Sequence, residues 1–201
     1  MYWFPKYNFI LASKSPRRQQ LLSQLGIEYT VKVNEAPETF PDGLAAREIP
    51  VFIARQKALA VSENMGENNM IIAADTIVWV DNQVIGKPKN AGEAKKMLQT
   101  LSGNIHQVIT GVCLKTIVRE KTFCTITDVE FKELQEREID YYIEKYKPLD
   151  KAGAYGIQEW IGQAGIVSVR GSYFNVMGLP IQRLYEEIQN FENGENGEKI
   201  R

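Results

Sequence analysis

Several segments of the chain combine basic, hydroxyl-bearing and small residues in the way that ligand sites do. The first spans residues 13–18 (SKSPRR), between an apolar stretch at 9–12 and a helical pattern that begins at Pro16. Free backbone N–H groups at a helix start attract anions, and the guanidinium groups of Arg17 and Arg18 match phosphate oxygens. The segment therefore predicts an anion site. Its alternative is an ordinary helix capped by Ser15, with two solvated arginines.

Asp75 is a candidate of a different kind, a carboxylate that directly follows the apolar run 70–74 and precedes Thr76. At the end of a buried strand such a group can hold a metal ion or accept a proton from water. The alternative is a turn aspartate that caps neighbouring backbone. Lys87 follows at a short distance in a Gly-Lys-Pro tripeptide, where a lysine is either a phosphate ligand or an exposed turn residue.

Two further segments are rich in small residues near the C-terminal end. Residues 150–158 (DKAGAYGIQ) let backbone approach a ligand closely, while their lysine, tyrosine and glutamine supply hydrogen-bond donors. A tight structural loop is the alternative. Residues 171–180 (GSYFNVMGLP) precede another helical pattern, and here a loop followed by a helix start is the favoured interpretation.

These segments lie at the ends of apolar elements, where an open α/β sheet gathers its ligands. Residues 9–12 predict a strand, and Ser15 with Pro16 starts a helix that Gly26 ends. A second helix is expected from about Pro50, followed by a central strand over 70–74 and a hairpin around 81–83.

The second half of the chain continues the alternation. Asn90 and Glu93 form a capping-box pattern for a helix that ends before Gly103, and residues 106–116 and 122–131 alternate like a long hairpin. A helix around 139–146, a strand over 165–170 and a helix from Pro180 follow. This order predicts one α/β domain over residues 1–191 with a mixed β-sheet flanked by helices, and a disordered tail over 192–201.

Composition excludes several classes of function. The 24 basic and 25 acidic side chains nearly cancel, so no overall positive field favours nucleic acid. Two cysteines without C-x-x-C spacing and one histidine do not make a zinc site, and the glycine-rich phosphate and dinucleotide loops are absent from the sequence. The N-terminus lacks the pattern of a signal peptide and no apolar run reaches 18 residues, so we expect a cytoplasmic protein without a membrane segment.

Taken in order, the motifs closely resemble those of the Maf family of nucleoside triphosphate pyrophosphatases, first named for septum formation inhibition. The resemblance covers about residues 9–191. It rests on Ser13-x-Ser15-Pro16-Arg17-Arg18, Ala74-Asp75-Thr76, Gly86-Lys87-Pro88, residues 150–158 and residues 171–180. The resemblance implies an elongated α/β domain with a mixed sheet and a central cleft, similar in fold to inosine triphosphatases.

The family roles fall on particular residues of this chain. Asp75 matches the catalytic proton acceptor, and the pocket lining is matched by Ser13, Arg18, Lys57 and Lys87. Lys57 has the alternative of a solvated helix face. Glu35 resembles the acidic residue after the first helix, with Glu38 as a near neighbour and a solvated loop carboxylate as the alternative. The resemblance implies that Glu35 and Asp75 hold Mg²⁺ or Mn²⁺.

Substrate preference follows from the same resemblance. Arg17, Thr76 and Gln158 resemble the trio that marks the dTTP/UTP branch, although a flipped Gln158 amide would serve cytosine equally well. The implied reaction is metal-assisted attack of water on the α-phosphorus, with pyrophosphate leaving.

The family resemblance also suggests a homodimer. Two other interpretations of the function stay open. One is a regulator that binds nucleotide or a division partner and restrains septum formation. The other is a base preference nearer that of the purine-directed inosine triphosphatases.

Overall fold

The computed structural model describes residues 7–63 and 65–192. Its strands are β1 (Asn8–Leu11), β2 (Tyr29–Val31), β3 (Asn69–Val80), β4 (Gln83–Ile85), β5 (Ile105–Lys115), β6 (Glu120–Phe131) and β7 (Ile166–Arg170). Its α-helices are α1 (Pro16–Gln24), α2 (Glu48–Val61), α3 (Ala91–Leu101), α4 (Glu136–Tyr146), α5 (Trp160–Ala164), α6 (Tyr173–Val176) and α7 (Ile181–Glu192). The predicted tail lies outside the described residues, except for Glu192 at the end of α7.

The described strands form one seven-stranded mixed sheet, which confirms the predicted α/β class. Five strands follow the order β2-β1-β3-β5-β6 and β7 completes that path, while β4 pairs with the end of β3. β1 runs parallel to both of its neighbours, and the adjacent pairs β3–β5, β5–β6 and β6–β7 are antiparallel. The long hairpin predicted from alternation is β5 and β6, which pair from Ile105↔Glu130 to Lys115↔Glu120.

Helices cover both faces of the sheet. Alternate residues of β3 such as Met70 and Ile72 join the large core cluster, to which α1, α3, α4 and α7 contribute apolar side chains. Ile71 and Ala73 face the opposite way and pack with Ala54 and Ala58 of α2. Because side chains alternate along a strand, both faces of β3 are buried, which explains its nearly continuous apolar sequence.

The position of Asp75 differs from the prediction. Asp75 does not end a strand, because β3 continues through it to Val80 and stays paired with β5 from Ile71↔Lys115 to Trp79↔Gln107. The strand ends instead at a two-residue turn, where Asp81 and Asn82 have φ values of 49° and 59°, as a hairpin turn of this type requires. Ladder pairing with β5 outweighs the weak local preference of aspartate against strands.

The other edge of β3 is open where Asp75 lies. β1 pairs with β3 only as far as Leu11↔Ile72, and β4 joins only at Val78↔Ile85. Between these two partners, residues 73–77 of β3 lack a neighbouring strand on that side. Side chains from both faces of β3 can therefore reach the same space at this edge. The chain that leaves β1 enters α1 next to that space.

Helix boundaries follow their capping residues. Ser15 accepts a hydrogen bond from the Arg18 backbone N–H at 3.5 Å and Asn90 accepts one from Glu93 at 2.9 Å, as predicted. In a capping box the Glu93 carboxylate would accept from the backbone N–H of Asn90. Here it accepts from the backbone N–H of Lys89 instead. The short elements β2, α5 and α6 were not predicted, because three to five residues carry too little periodicity to be recognised. None of the helices in residues 7–63 and 65–192 has the length and apolar character needed to cross a membrane.

We expect Gly111→Ala to destabilise the fold. A Cβ at Gly111 of β5 would lie 2.3 Å from backbone atoms of Pro50 and Val51, so α2 would have to move away from the sheet. Overpacking of this kind costs about 1–3 kcal/mol, to be measured by urea unfolding. Gly66→Ala is the matched control, because its Cβ would meet nothing closer than 3.7 Å. Equal unfolding midpoints for the two variants would contradict this packing.

Candidate active site

The open edge of β3 forms the floor of a cavity of about 520 Å³. This volume lies in the range of small-molecule sites. The cavity brings together all nine residues singled out from the sequence, which come from six separate parts of the chain. They are Ser13, Arg17, Arg18, Glu35, Lys57, Asp75, Thr76, Lys87 and Gln158.

Lys57 of α2 links two carboxylates in this cavity. Its Nζ lies 2.7 Å from Oδ1 of Asp75 and 2.8 Å from Oε1 of Glu38. Lys87 approaches the other oxygen of Glu38, with Nζ 3.3 Å from Oε2. The hydrogen bond from Lys57 holds the pKa of Glu38 below its ordinary value against the opposing effect of burial, and the two lysine charges lower that pKa further.

The acidic residue that contacts the lysines is thus Glu38, the neighbour that the sequence left as an alternative to Glu35. Glu35 is exposed and lines the cavity wall. Both residues lie in the irregular segment between β2 and α2, where no periodicity indicates which side chain faces inward. The sequence therefore offered only the distance from α1 along the chain as a guide to which glutamate faces the cavity.

Within the described part of the chain, the Arg18 guanidinium donates its hydrogen bonds to neutral oxygen atoms. Its Nε donates to the Gly178 carbonyl at 2.8 Å, while Nη1 and Nη2 donate to the hydroxyls of Ser13 at 3.4 Å and Thr76 at 3.1 Å. Burial lowers the pKa of Arg18, and the charge of Asp75 opposes that shift. Because a guanidinium stays protonated in proteins, it presents a positive charge that these three acceptors leave un-neutralised. This arrangement favours an anionic ligand in the cavity.

The N-terminus of α1 lies beside Arg18. The Ser15 backbone N–H donates to the Ser13 hydroxyl at 3.2 Å, and Pro16 occupies the first helical position. Proline supplies no N–H, and its fixed φ favours the start of a helix. The positive end of this nine-residue helix therefore faces the same space as the guanidinium groups.

A second set of ion pairs joins α1 to the segment 150–159, which also lines the cavity. Arg17 Nη1 lies 3.2 Å from Asp150, and the nearly buried Lys151 lies 2.7 Å from Asp150 and 3.1 Å from Glu159. Burial raises the pKa of Asp150, but the hydrogen bond from Lys151 and the charges of Lys151 and Arg17 outweigh it, so that its pKa lies below the ordinary value. The hydroxyl of Tyr142 also donates to Glu159. These contacts hold α1 against the segment 150–159.

Gln158 lies on this segment, exposed at the cavity wall. The segment is also a tight loop, because a Cβ at Gly153 would come within 2.9 Å of Val78 and its φ is +70°. Residues 150–158 therefore form a tight structural loop that also lines the cavity. A tightly packed backbone is what positions an exposed amide.

His106 and Tyr155 form a buried polar pair behind the cavity. Nε2 of His106 is 2.8 Å from the Tyr155 hydroxyl, and the imidazole stacks on Phe131 with centroids 5.6 Å apart. Nδ1 of His106 has no hydrogen-bond partner among the described residues. Burial lowers the pKa of His106 to about 4, so the ring is neutral at physiological pH.

The chain is similar over most of its length to one protein family and to several named proteins. The family model described as Maf-like protein matches residues 8–191. A dTTP/UTP pyrophosphatase of Phocaeicola vulgatus is 58% identical over 185 residues, which cover 92% of this chain and 96% of that protein. Proteins of the same name from Bacteroides fragilis and Porphyromonas gingivalis are 52% and 47% identical, cover 92% of this chain, and are themselves covered to 96% and 95%.

One solved structure shows a similar fold. The structure of the Staphylococcus aureus Ham1 protein aligns over 92% of this chain and 99% of its own, with a TM-score of 0.52 and 16% identity. At that identity the likeness supports the arrangement of strands and helices alone.

The buried imidazole generates a pH prediction. The pKa of His106 is lower in the folded state, about 4, than its ordinary value of 6.5, so the unfolded chain binds more protons between these values. Its contribution to stability is present above pH 6.5 and is lost as pH falls toward 4. The loss is on the order of 3 kcal/mol.

Two measurements check this prediction. His106 is the single histidine of the sequence, so its ring protons can be titrated by NMR without assignment in a protein free of tags. His106→Phe should remove the histidine's part of the fall in unfolding free energy at low pH, as measured with urea. The part due to carboxylates should remain. A midpoint near 6.5 in the folded protein would contradict the burial.

Proposed function

Because the chain belongs to the Maf family, we propose that it hydrolyses nucleoside triphosphates, preferably dTTP and UTP, to nucleoside monophosphate and pyrophosphate. The family match over residues 8–191 and relatives at 46–58% identity named dTTP/UTP pyrophosphatase support the reaction. The observation that carries the proposal is the cavity itself. It sets the paired carboxylates of Asp75 and Glu38 beside cations from α1, α2 and the segment after β4.

The basic residues bind the polyphosphate in this mechanism. Arg18, with its three neutral contacts, and the positive end of α1 meet phosphate oxygens without losing an existing ion pair. Lys87 extends the same positive surface from a half-exposed position. A preorganised donor of this kind typically contributes roughly 10²–10³ in rate when charge develops on the transferring group.

Asp75 acts as the general base. It is the carboxylate on the cavity floor, with 13% of its side chain exposed, so water can reach it while β3 and α2 hold it in place. Lys57 fixes one of its oxygens through Oδ1. The other oxygen is then available to accept a proton from the water that attacks the α-phosphorus.

The carboxylates also fit a divalent metal ion bound together with substrate. Among the described residues, no group of three or more His, Cys, Asp or Glu side chains forms a metal site by itself. Asp75 and Glu38 nevertheless converge on one point, the Nζ of Lys57, and Mg²⁺ commonly binds through one or two carboxylates with water and phosphate oxygens completing its shell.

We therefore assign the metal-binding role to Asp75 and Glu38, in place of Asp75 and Glu35. Either Mg²⁺ or Mn²⁺ suits these oxygen ligands. When bound, the ion would neutralise charge on phosphate oxygens as a Lewis acid. Lys57 would keep the two carboxylates together before the ion arrives.

The pyrimidine preference rests on Gln158 and Arg17, which both line the cavity. The Gln158 amide can donate to O4 and accept from N3–H of uracil or thymine. Arg17, tied to Asp150, limits how far this wall can open. The proposal extends to a homodimer, as the family resemblance implies, and to the cytoplasmic location expected from the sequence.

Asp75→Asn should abolish pyrophosphate release while nucleotide binding persists. The amide keeps the size of the side chain but cannot accept the proton, and general-base catalysis is worth about 10²–10⁴ in rate. Release would be measured with Mg²⁺ or Mn²⁺ across canonical and modified triphosphates, and binding by calorimetry. Asp81→Asn at the β3–β4 turn is the matched control and should keep full activity. Undiminished turnover by the Asp75 variant would falsify the assignment.

Glu38 and Glu35 provide a matched pair for the metal assignment. Glu38→Gln should raise the Mn²⁺ concentration needed for half-maximal activity by about tenfold, because a charged ligand becomes a neutral one. Glu35→Gln should change it less than twofold. If the effects were reversed, Glu35 would be the ligand, as the sequence alone suggested.

A further inference from the structure

We propose that Thr110 and Asn175 are positioning residues for Arg18, and that they act through a hydrogen-bond chain whose direction is fixed. The inference rests on the proposed function only in naming a polyphosphate as the anion that Arg18 binds. It gives a role to the segment 171–180, for which the sequence favoured a plain loop and helix start.

Asn175 anchors this segment to the sheet. Its side chain is fully buried, and Nδ2 donates to the Val108 carbonyl of β5 and to the Thr127 hydroxyl of β6, both at 2.9 Å. Oδ1 of Asn175 has no partner among the described residues. A buried unpaired oxygen is unfavourable, so the two donated bonds and the surrounding packing must hold the side chain in this orientation.

The direction of the chain follows from counting hydroxyl protons. The Thr110 hydroxyl donates to the backbone carbonyl of Asn175 at 3.1 Å, since a carbonyl can only accept. Each hydroxyl has one proton, so in the 2.9 Å contact between Thr76 and Thr110 the donor must be Thr76. Thr76 in turn accepts from Nη2 of Arg18 at 3.1 Å. Donation therefore runs from Arg18 to Thr76, to Thr110 and to the Asn175 carbonyl.

This order has a consequence for Thr76 at the cavity wall. Its proton is already donated to Thr110, so its hydroxyl can offer a ligand only lone pairs. Thr76 and Thr110 lie directly opposite each other on β3 and β5, which keeps the two hydroxyls in register. Thr76 thus acts on the substrate chiefly by orienting the guanidinium, because its own proton is already donated to Thr110.

The same segment holds Arg18 at a second point. Nε of Arg18 donates to the carbonyl of Gly178, and Gly178 follows Asn175 by a single turn of chain. Displacement of Asn175 would move both acceptors, one directly and one through the two threonines. Thr110 and Asn175 are each 0% exposed, so neither can touch a ligand. Any influence that they have on binding must pass through Arg18 and Thr76.

Thr110→Val tests the chain because valine has nearly the same shape and lacks the hydroxyl. Thr76 then loses its acceptor, and the Asn175 carbonyl keeps the Gly178 N–H but loses its hydroxyl donor. We expect the KM for dTTP to rise about tenfold, with kcat changed less than threefold. Thr110→Ser keeps the hydroxyl and should restore KM to within about twofold of the wild type. A merely structural role would lower the melting temperature without separating KM from kcat.

The control is Thr116→Val, at a buried threonine just past the end of β5 whose hydroxyl contacts Arg119. It should lower stability about as much as Thr110→Val does and leave the KM for dTTP unchanged. An unchanged KM in Thr110→Val would overturn the proposal, as would a Thr110→Ser variant impaired as strongly as the valine variant.

Calorimetry with inorganic tripolyphosphate separates this inference from the proposed activity, because it needs no turnover. Thr110→Val should bind tripolyphosphate about tenfold more weakly than the wild type, and Thr116→Val equally well. If the wild type released no pyrophosphate, the proposed function would fail while these affinities still decided the role of Thr110. Equal affinities for all variants, or no binding by the wild type, would overturn the inference.

Discussion

The antiparallel pairing of β3 with β5 is the constraint on which the rest of the site depends. It runs from Ile71 to Trp79, beyond the point at which β1 leaves the other edge of β3. Without that support, residues 73–77 would have no ladder partner and would not remain extended. The pairing thus creates a strand with one satisfied and one open edge. The open edge allows Asp75 and Thr76, which belong to opposite faces of the sheet, to line one cavity.

The cations of the cavity are held in two different ways. Lys57 and Lys87 are neutralised by Glu38 and Asp75, whereas Arg18 is held by a carbonyl and two hydroxyls. A phosphate group can approach Arg18 without competing with a carboxylate. A divalent ion that uses both carboxylates must instead displace the ammonium of Lys57 from between them. In the proposed function, triphosphate binding and metal binding would therefore be coupled, because phosphate oxygens would offer Lys57 a new partner.

The loop that carries Gln158 is held in place by ion pairs and close packing. Lys151 lies between Asp150 and Glu159, and Gly153 packs against Val78 with no room for a side chain. The ion pair from Arg17 to Asp150 joins this loop to the same helix that supplies Arg18. In the proposed function, the residues that recognise the pyrimidine edge and the polyphosphate would thus belong to one connected unit of loop and helix.

The sequence by itself determined the features that depend on neighbours along the chain. Ser15 with Pro16 set the start of α1, alternation predicted the β5–β6 hairpin, and the ordered motifs selected residues that all line one cavity. Local signals of this kind act within a few residues, through capping bonds, backbone preferences and side-chain period.

Tertiary structure decided the partners of those residues. That Asp75 lies within a strand depends on pairing with β5, and that Glu38 meets Lys57 depends on how an irregular segment crosses α2. The acceptors of Arg18 include a carbonyl 160 residues away, and the chain that orients it passes through Thr110 and Asn175. No local pattern encodes such contacts, because they arise only when packing brings distant backbone groups within hydrogen-bond distance.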